Sequence, residues 1–474
     1  MIDLEKLTII KARKALDSKE FSAVDLASVY LAEIKKKNGE LNAYLEVFSD
    51  VLEQAKAADA RIAKGESLPL LGIPLAIKDN ILIKGKKASS ASKMLENYVA
   101  SYDATAIEKL KKQGAVFLGR TNMDEFALGG STENSAYGVT KNPHDMRRVP
   151  GGTSGGSAAC VASSMALAAL GSDTGGSIRL PSAFCGVVGI KPTYGRVSRS
   201  GLMAAVSSFD VIGPIAKTVE DARVIYEVIK GQDLLDSTTI SETTYPKTSF
   251  KKDLTIGVPW DLINGEGVNQ NVKDNFSEVI KKLEKLGFKI KDIKLPNCLA
   301  LYYIINFAEV STNLARFDGV RYGLHKNGKN LFEDYMLSKG AGFGKETRRR
   351  VLLGAYVLSA GYYDAYYGKA QKAREALRKE FKDIYSEIDL ILTPTCPIPA
   401  WKIGEKSDAL SMYLADIFTV TANIVGIPAM SLPSGFSEIE GKKLPLGIQF
   451  MASHGGEDLL FEIGKKFDEI KDSP

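Results

Sequence analysis

The chain has 474 residues, of which 45% are hydrophobic and 25% charged, so it can bury a large core and has the composition of an ordinary globular protein. Its 62 basic and 57 acidic residues are spread along the sequence, which argues against a dedicated nucleic-acid-binding surface. The 4 cysteines are widely spaced and form no C-x-x-C pair, so we expect buried free thiols and neither a zinc site nor a disulfide framework.

The first predicted elements alternate between helix and strand. Apolar residues recur at helical spacing after Ser22, a candidate N-cap, and predict a helix. A strand at 41–48 and a helix at 51–64 are predicted next. The following apolar run, 71–78, is typical of a buried strand and ends at a charged residue, Lys78. Lys78 is therefore expected where this strand leaves the core.

The same alternation continues along the rest of the chain. The predicted elements are a capped helix at 103–114, strands at 115–119 and 254–258, a helix at 272–283 closed by Gly287, and a strand at 389–392. Elements in this order predict an α/β fold in which helices cover both faces of a sheet. The polar stretch 233–252 is interpreted as a surface excursion within one domain rather than a linker.

Two glycine-rich segments carry hydroxyl side chains. The first is Gly151–Ala159, with the sequence GGTSGGSAA, and the second is Asp173–Arg179, with the sequence DTGGSIR. Ser177 lies 24 residues after Thr153. Paired glycines before a serine let the backbone turn sharply and aim successive N–H groups at one point, as an oxyanion requires beside its nucleophile. Together with Lys78, the two segments indicate a hydrolytic site.

Glycine-rich segments with hydroxyl residues also occur as flexible loops and as phosphate-binding nests. Neither segment has the lysine that follows the last glycine of a P-loop. Ser177 also lacks the G-x-S-x-G context of an α/β-hydrolase. The sequence therefore disfavours a P-loop protein and an α/β-hydrolase.

No histidine lies near these segments, so serine chemistry that depends on an imidazole is not expected. The 3 histidines, His144, His325 and His454, are interpreted as surface or turn residues. Lys78 is the alternative base, because a lysine at the mouth of a buried strand can be desolvated and lose its charge. The sequence leaves open whether Lys78 instead points to solvent. Asp79 would oppose the loss of charge if it approached the amine.

The strand ending at Lys78 and the two glycine-rich segments closely resemble the amidase signature family, whose members use a Ser-cisSer-Lys triad in place of histidine. The resemblance implies that Ser177 is the nucleophile and Lys78 the base. It places Thr153 at the position of the cis-peptide serine. It also implies an oxyanion hole formed by the backbone N–H groups of Thr174, Gly175, Gly176 and Ser177.

The resemblance also carries an expectation about the fold. Members of the family form a single α/β/α domain around a central mixed β-sheet flanked by helices. The implied domain covers 1–474, with a signature core at about 71–215. A C-terminal part at about 250–474 is expected to complete the sheet and the substrate pocket.

Thr153 departs from the family pattern, which has serine. Threonine keeps a hydroxyl that can accept and donate a proton, while its methyl group stiffens χ1 and needs space. We expect an active enzyme. The alternative is a catalytically weak or purely structural subunit.

Three further segments extend the resemblance over nearly the whole chain, at 185–198, 313–323 and 342–346. They resemble one branch of the family, the glutaminase subunits of tRNA-dependent amidotransferases. This implies hydrolysis of glutamine to glutamate and ammonia, which passes to a partner subunit. The implied partners are the B and C subunits of a heterotrimer, and tRNA is contacted mainly through the partner. ATP and Mg²⁺ are expected to be used by the partner, with no cofactor or metal in this chain.

Glutamine presents an ammonium and a carboxylate, so its recognition calls for an acidic group and an arginine. The family residues in these roles correspond to Asp416 and Arg350, with Tyr302 nearby. Each alone would pass as a surface charge or a core aromatic, and the adjacent Arg348 and Arg349 leave the register of the arginine open. A stand-alone amidase of small or fatty amides, the other enzyme class considered, would lack this pair. The acceptor, Glu-tRNA(Gln), Asp-tRNA(Asn) or both, is left open.

The N-terminus lacks a basic region followed by an apolar one. The longest apolar run, 158–170, is interrupted by serines and is too short to span a bilayer. We therefore expect a soluble cytoplasmic protein with no membrane contact.

Overall fold

Strands from both halves of the chain form one 11-stranded sheet in the computed structural model, which describes residues 2–245, 250–251, 253–406 and 408–470. The strands are β1 Tyr44–Val47, β2 Pro74–Lys78, β3 Val116–Thr121, β4 Ala168–Asp173, β5 Val188–Lys191, β6 Val211–Ala216, β7 Thr255–Val258, β8 Lys289–Asp292, β9 Leu390–Pro394, β10 Ala429–Ile439 and β11 Lys442–Ala452. The predicted strands at 41–48, 71–78, 115–119, 254–258 and 389–392 are confirmed.

The sheet is mixed, in the order β1-β3-β2-β4-β6-β5-β10-β11-β9-β7-β8. Strands β3, β2 and β4 run parallel to one another, as do β9, β7 and β8. The strands between these groups pair antiparallel. The prediction of an α/β fold with a central mixed sheet flanked by helices is therefore confirmed. The extent of the domain, 1–474, stays a prediction.

The helices lie between the strands along the chain. They are α1 Ile9–Asp17, α2 Ala23–Leu41, α3 Val51–Ala63, α4 Thr105–Lys112, α5 Gly155–Ala162, α6 Arg179–Cys185, α7 Val219–Ile229, α8 Trp260–Ile263, α9 Gln270–Lys285, α10 Leu299–Leu314, α11 Leu331–Gly342, α12 Lys345–Val357, α13 Lys369–Glu387, α14 Ala409–Leu414, α15 Val420–Val425 and α16 Glu457–Ile470. None of the described helices is both long and apolar enough to cross a membrane.

Helix ends follow local sequence signals. Ser22 caps α2 in a capping box with Asp25, as its position predicts. Helix α4 begins two residues later than predicted, and its N-cap is Ala104, which makes no side-chain cap. The Asp103 carboxylate instead accepts from the backbone N–H of Lys84 and pairs with Lys111. The Asp103 side chain, at the start of the predicted helix, thus contacts Lys84 and Lys111 instead of capping the helix.

The strands around the site are fully buried. Every residue of β2, β3, β4, β5 and β6 is buried, as expected for strands covered on both faces. All four cysteines are buried and free, which confirms that prediction. Burial raises the pKa of the Cys160 thiol to about 12, so it stays protonated.

The polar stretch predicted at 233–252 is tied to the body of the protein at its start. Asp233 accepts hydrogen bonds from Thr105 and Ser198, and Asp236 pairs with Arg199. Residues 246–249 and 252 lie outside the described residues. The first part of the stretch therefore packs on the domain, as a surface excursion would.

Candidate active site

Lys78 is the last residue of β2, and the neighbouring parallel strand β4 ends at Asp173. The carboxyl ends of parallel strands meet at one edge of a sheet, where α/β proteins place their ligands. The segment that follows β4 therefore begins beside the lysine. Helix α5 starts at Gly155, directly after Thr153 and Ser154. These connections bring the two glycine-rich segments and the lysine together.

The Lys78 amine is fully buried and surrounded by oxygen atoms. Its Nζ lies 2.8 Å from Thr153 Oγ1 and 2.8 Å from Ser154 Oγ. It also lies 2.9 Å from Ser172 Oγ and 3.3 Å from the Ser172 carbonyl oxygen. Lys78 therefore points into the protein, which decides against the solvent-facing alternative.

Burial lowers the pKa of Lys78 to about 7, and this effect exceeds the opposing attraction of Asp124, Asp173 and Asp210. Asp79 does not approach the amine. Its carboxylate accepts hydrogen bonds from Ser89 and from Arg120 Nη1 at 2.8 Å. A substantial fraction of the lysine is thus neutral at physiological pH, as a general base requires.

Thr153 is fully buried and follows a cis peptide bond at Gly152–Thr153. Its hydroxyl contacts Lys78, and the N–H of the next residue, Ser154, donates to the Ser177 carbonyl oxygen at 3.0 Å. This bond holds the two glycine-rich segments side by side. The Thr153 hydroxyl is thus in direct contact with the Lys78 amine.

No hydrogen bond joins the Thr153 and Ser177 hydroxyls in this structure. The Ser177 hydroxyl makes no hydrogen bond with any described residue, and 7% of the residue is exposed. An unengaged hydroxyl is free to rotate toward either a substrate carbon or a proton acceptor. Catalytic hydrogen bonds often tighten only in the substrate complex.

The segment that carries Ser177 is fixed by a buried ion pair between Asp173 and Arg179. The Asp173 carboxylate also accepts from the backbone N–H groups of Gly176, at 2.9 Å, and Ile178, at 3.1 Å. Burial opposes ionisation of Asp173, but the charges and hydrogen bonds around it, chiefly those of Arg179, together outweigh burial and hold the pKa of the carboxyl well below its usual range. The turn around the serine is therefore built on a permanent charge pair.

The predicted oxyanion donors fall into two groups. The N–H of Gly176 is occupied by Asp173. The N–H groups of Thr174, Gly175 and Ser177 donate no hydrogen bond within the described part of the chain. Tyr302 packs so closely on this turn that a Cβ on Gly175 would overlap its hydroxyl oxygen, so only glycine fits there.

Arg350 and Asp416 are both buried, and Tyr303 lies against each of them. The Tyr303 hydroxyl donates to Asp416 Oδ2 at 2.7 Å, and the Arg350 guanidinium lies 5.6 Å from the Tyr303 ring centroid. Burial raises the pKa of Asp416 to about 7. Asp416 Oδ1 and Arg350 Nη2 make no hydrogen bond with a described residue, so one acceptor and one charged donor remain available.

The three adjacent arginines differ in burial. Arg350 is 3% exposed, whereas Arg348 is exposed and Arg349 is half-buried at the surface. Arg350 therefore turns inward from α12. Tyr302 stacks on Phe209, with ring centroids 5.5 Å apart, and its hydroxyl packs against Gly175 of the Ser177 turn.

The histidines bond to backbone carbonyls away from these residues. The partners are Cys185 for His144, Gly319 for His325 and Val425 for His454. His454 lies in a turn, as predicted, and is half-buried, which lowers its pKa to about 4. Among the residues that the structure describes, no group of three or more His, Cys, Asp or Glu side chains is placed to hold a metal ion.

Sequence reasoning missed several residues that shape the site. Ser154 and Ser172 contact the lysine, and Asn306, Glu346 and Tyr303 contact the buried arginine or Asp416. The two serines stand inside or directly beside the glycine-rich segments, so their position was a usable signal. Asn306 and Tyr303 lie on α10 and Glu346 lies on α12, and nothing in the sequence marks these contacts, although Glu346 belongs to the segment 342–346 that extends the resemblance.

The arrangement combines an amine with a pKa of about 7 and a hydroxyl that contacts it. It also has a second hydroxyl and backbone N–H groups that form no hydrogen bond with a described residue. These are the elements of nucleophilic acyl transfer with lysine in place of histidine. They suit attack on an amide or ester carbonyl.

Comparison with known proteins agrees with this chemistry. The sequence profile of the family described as Amidase matches residues 25–461. The A subunit of glutamyl-tRNA(Gln) amidotransferase from Desulfatibacillum aliphaticivorans is 48% identical, over 99% of this chain and 98% of that protein. The protein of the same name from Koribacter versatilis is 49% identical, over 98% of this chain and 98% of that one.

Solved structures give the same result. The crystal structure of the A subunit of glutamyl-tRNA(Gln) amidotransferase from Thermotoga maritima is 40% identical, with a TM-score of 0.81 over 100% of this chain and 96% of that one. The native peptide amidase from Stenotrophomonas maltophilia is 27% identical, with a TM-score of 0.80 over 98% of this chain and 97% of that one. The chain belongs to the amidase family.

Proposed function

We propose that this chain is the glutamine-hydrolysing A subunit of a tRNA-dependent amidotransferase. The observation that carries the proposal is the buried Lys78 amine, 2.8 Å from the Thr153 hydroxyl, at the turn that carries Ser177. Similarity over nearly the full length to proteins named as the A subunit of glutamyl-tRNA(Gln) amidotransferase supports the choice of substrate and pathway.

In the proposed reaction, the Ser177 oxygen attacks the side-chain amide carbon of glutamine. Its proton moves through the Thr153 hydroxyl to the neutral amine of Lys78. The oxygen of the tetrahedral intermediate is held by backbone N–H groups of residues 174–177. When the C–N bond breaks, the proton returns from Lys78 to the leaving nitrogen and ammonia departs. Water then cleaves the ester by the same route, which releases glutamate and restores the serine.

The surroundings of the amine suit this role. A neutral lysine has two N–H groups and one lone pair. The Ser154 and Ser172 oxygens, at 2.8 and 2.9 Å, can accept the two N–H groups. The lone pair is then left for the Thr153 proton. Ser154 and Ser172 would thus orient the base.

Arg350 and Asp416 are proposed to bind the charged end of glutamine. The free Nη2 group of Arg350 suits the α-carboxylate, and the free Oδ1 of Asp416 suits the α-ammonium. Both side chains are buried, so these contacts would form in a medium of low dielectric. A stand-alone amidase of simple amides has no need of such a pair, which favours glutamine.

We further propose that the ammonia passes to the B subunit of a heterotrimer that also contains the C subunit. The partner would use ATP and Mg²⁺ to activate Glu-tRNA(Gln), Asp-tRNA(Asn) or both, and would make most of the tRNA contacts. This chain would then act in the cytoplasm and need no cofactor of its own. A glutaminase assay on the purified chain, alone and with the B and C subunits, tests the proposal. Absence of glutamine hydrolysis in both cases would refute it.

Two half-substrates separate the roles of Arg350 and Asp416. Glutaramate keeps the carboxylate of glutamine without its ammonium, and 4-aminobutanamide keeps the ammonium without the carboxylate. We expect Arg350→Ala to lower kcat/KM by roughly 10- to 100-fold on glutamine and glutaramate, but not on 4-aminobutanamide. Asp416→Ala should lower kcat/KM on glutamine and 4-aminobutanamide, but not on glutaramate. Equal losses on every substrate would mean that these residues hold the fold or the triad.

Thr153 is tested by two substitutions of opposite character. Thr153→Ser keeps the hydroxyl and should preserve or modestly raise kcat. Thr153→Val keeps the shape without the hydroxyl and should lower kcat by about 10²-fold or more, because a positioned proton relay is removed. Steady-state kinetics with glutamine provide the measurement. A valine variant as active as the wild type would show that Lys78 reaches Ser177 without Thr153.

A further inference from the structure

Arg350 is held at two of its three guanidinium nitrogens. Its Nε donates to Glu346 Oε1 at 2.7 Å, and its Nη1 donates to Asn306 Oδ1 at 3.0 Å. Nη2 donates to no described residue. The two contacts therefore fix the plane of the guanidinium and leave a defined edge of it for a ligand.

Helix geometry brings these partners together. Glu346 and Arg350 are four residues apart on α12 and lie on one face of the helix. Asn306 comes from α10, which approaches α12 very closely. A Cβ on Gly354 would overlap the Phe307 carbonyl oxygen, so glycine is required at this crossing. The close crossing places Asn306 within reach of the arginine.

Aromatic rings complete the support of the guanidinium. Arg350 lies 5.6 Å from the Tyr303 centroid and 5.5 Å from the Tyr413 centroid, which themselves stack at 3.7 Å. Guanidinium groups are attracted to such faces. The rings restrict where the group can lie, and the two hydrogen bonds restrict how it is rotated.

Asn306 also reaches toward the Ser177 turn. Its Nδ2 donates to the Tyr302 hydroxyl at 3.2 Å, and Tyr302 packs against Gly175. One amide side chain thus connects the arginine to the turn that would hold the oxyanion.

We propose that Glu346 and Asn306 are positioning residues that make the site specific for substrates with an α-carboxylate, by holding Arg350 with Nη2 turned toward that group. This inference rests on the proposed glutaminase function. An arginine that is oriented in advance loses less conformational freedom when it binds a carboxylate. Neither Glu346 nor Asn306 touches the substrate in this scheme. Their removal should therefore weaken recognition of the carboxylate and leave amide cleavage intact.

The test uses the full chain with the B and C subunits, and three substrates: glutamine, glutaramate and 4-aminobutanamide. The variants are Glu346→Met and Asn306→Leu, which remove the acceptors at similar volume. We expect kcat/KM to fall on the order of 10-fold or more for glutamine and glutaramate, mainly through KM. The value for 4-aminobutanamide should stay within about twofold, a factor that corresponds to only about 0.4 kcal/mol.

Two further variants sharpen the result. Glu346→Gln keeps a neutral acceptor for the Arg350 Nε and should lose less than Glu346→Met. It also serves as the safer variant for folding, because its side chain can still accept the Arg350 N–H at the edge of a cavity of about 340 Å³. Arg348→Ala is the matched control. It removes an exposed arginine from the same helix and should leave kcat/KM unchanged for all three substrates.

Outcomes separate this inference from the proposed function. If the wild type hydrolyses glutamine and Arg350→Ala affects carboxylate substrates selectively, but Glu346→Met and Asn306→Leu change nothing, the inference alone is wrong. Equal losses on all three substrates would also overturn it, since that result marks a structural role. A wild type that hydrolyses no glutamine with its partners present would refute the function itself.

Discussion

Replacing Ser177 with alanine is expected to lower glutamine hydrolysis by about four to six orders of magnitude, as loss of a nucleophile does in other hydrolytic triads. The hydroxyl makes no hydrogen bond with a described residue, so its loss leaves no buried polar group without a partner. The melting temperature should therefore stay close to that of the wild type. Ammonia release from glutamine and a thermal melt provide the two measurements.

Ser182→Ala is the matched control for this change. Ser182 lies on α6, close along the chain, and its buried hydroxyl donates to the Ile178 carbonyl oxygen at 2.8 Å. Removing that hydroxyl should cost some stability, about 1 kcal/mol, and leave glutamine hydrolysis in place. A folded Ser177→Ala protein that still hydrolyses glutamine at the wild-type rate would remove Ser177 from the mechanism.

The sequence was most informative where chemistry requires an unusual pattern. The glycine pairs before Ser177 and the charge at the end of an apolar run mark Ser177 and Lys78 without any structure. Their contact depends on β2 and β4 being neighbours. That neighbour relation could not be predicted, because the intervening β3 also pairs with β2, on the other side. Strand order is a property of the whole sheet, whereas the motifs are local.

The side chains that are proposed to bind the substrate show the opposite case. Asp416 and Arg350 resemble ordinary surface charges in the sequence, and only the resemblance to the amidase family singled them out. Asn306 gave no signal at all, and Glu346 was marked only as part of the segment 342–346 that extends the resemblance, because polar residues on helices are usually solvated. Asn306 reaches Arg350 only because α10 and α12 cross closely. Local sequence patterns do not show which side chains a distant segment of the chain will bury.

Replacing Lys78 with alanine is the second large effect that we expect. A positioned general base contributes about 10²- to 10⁴-fold, and triad members act as a unit, so kcat should fall by at least that factor. The loss should appear with glutamine and with butanamide alike, because Lys78 contacts the triad hydroxyl rather than the charged end of the substrate. Steady-state kinetics on both substrates provide the measurement. A Lys78→Ala protein with wild-type kcat would assign the base to another group.

The pH profile of the wild type identifies the protonation state that this mechanism needs. Burial lowers the pKa of Lys78 to about 7, and a base acts only when deprotonated, so activity should be full above that pH and fall as the pH drops through it. Asp416 also has a pKa of about 7, raised by burial. The profile is therefore measured with butanamide, which has no ammonium for Asp416 to bind.

Lys191 is the matched control for this fall in activity at acid pH, the acid limb of the profile. It is a second fully buried lysine, and burial lowers its pKa to about 7 as well, but its Nζ donates to the Pro192 carbonyl oxygen rather than to a triad hydroxyl. The acid limb should persist in Lys191→Met, although this variant loses stability with its buried hydrogen bond. A wild-type profile on butanamide that stays flat from pH 8 to pH 5 would mean that the reaction does not depend on a neutral lysine. Loss of the limb in Lys191→Met would transfer the titration to a residue outside the proposed triad.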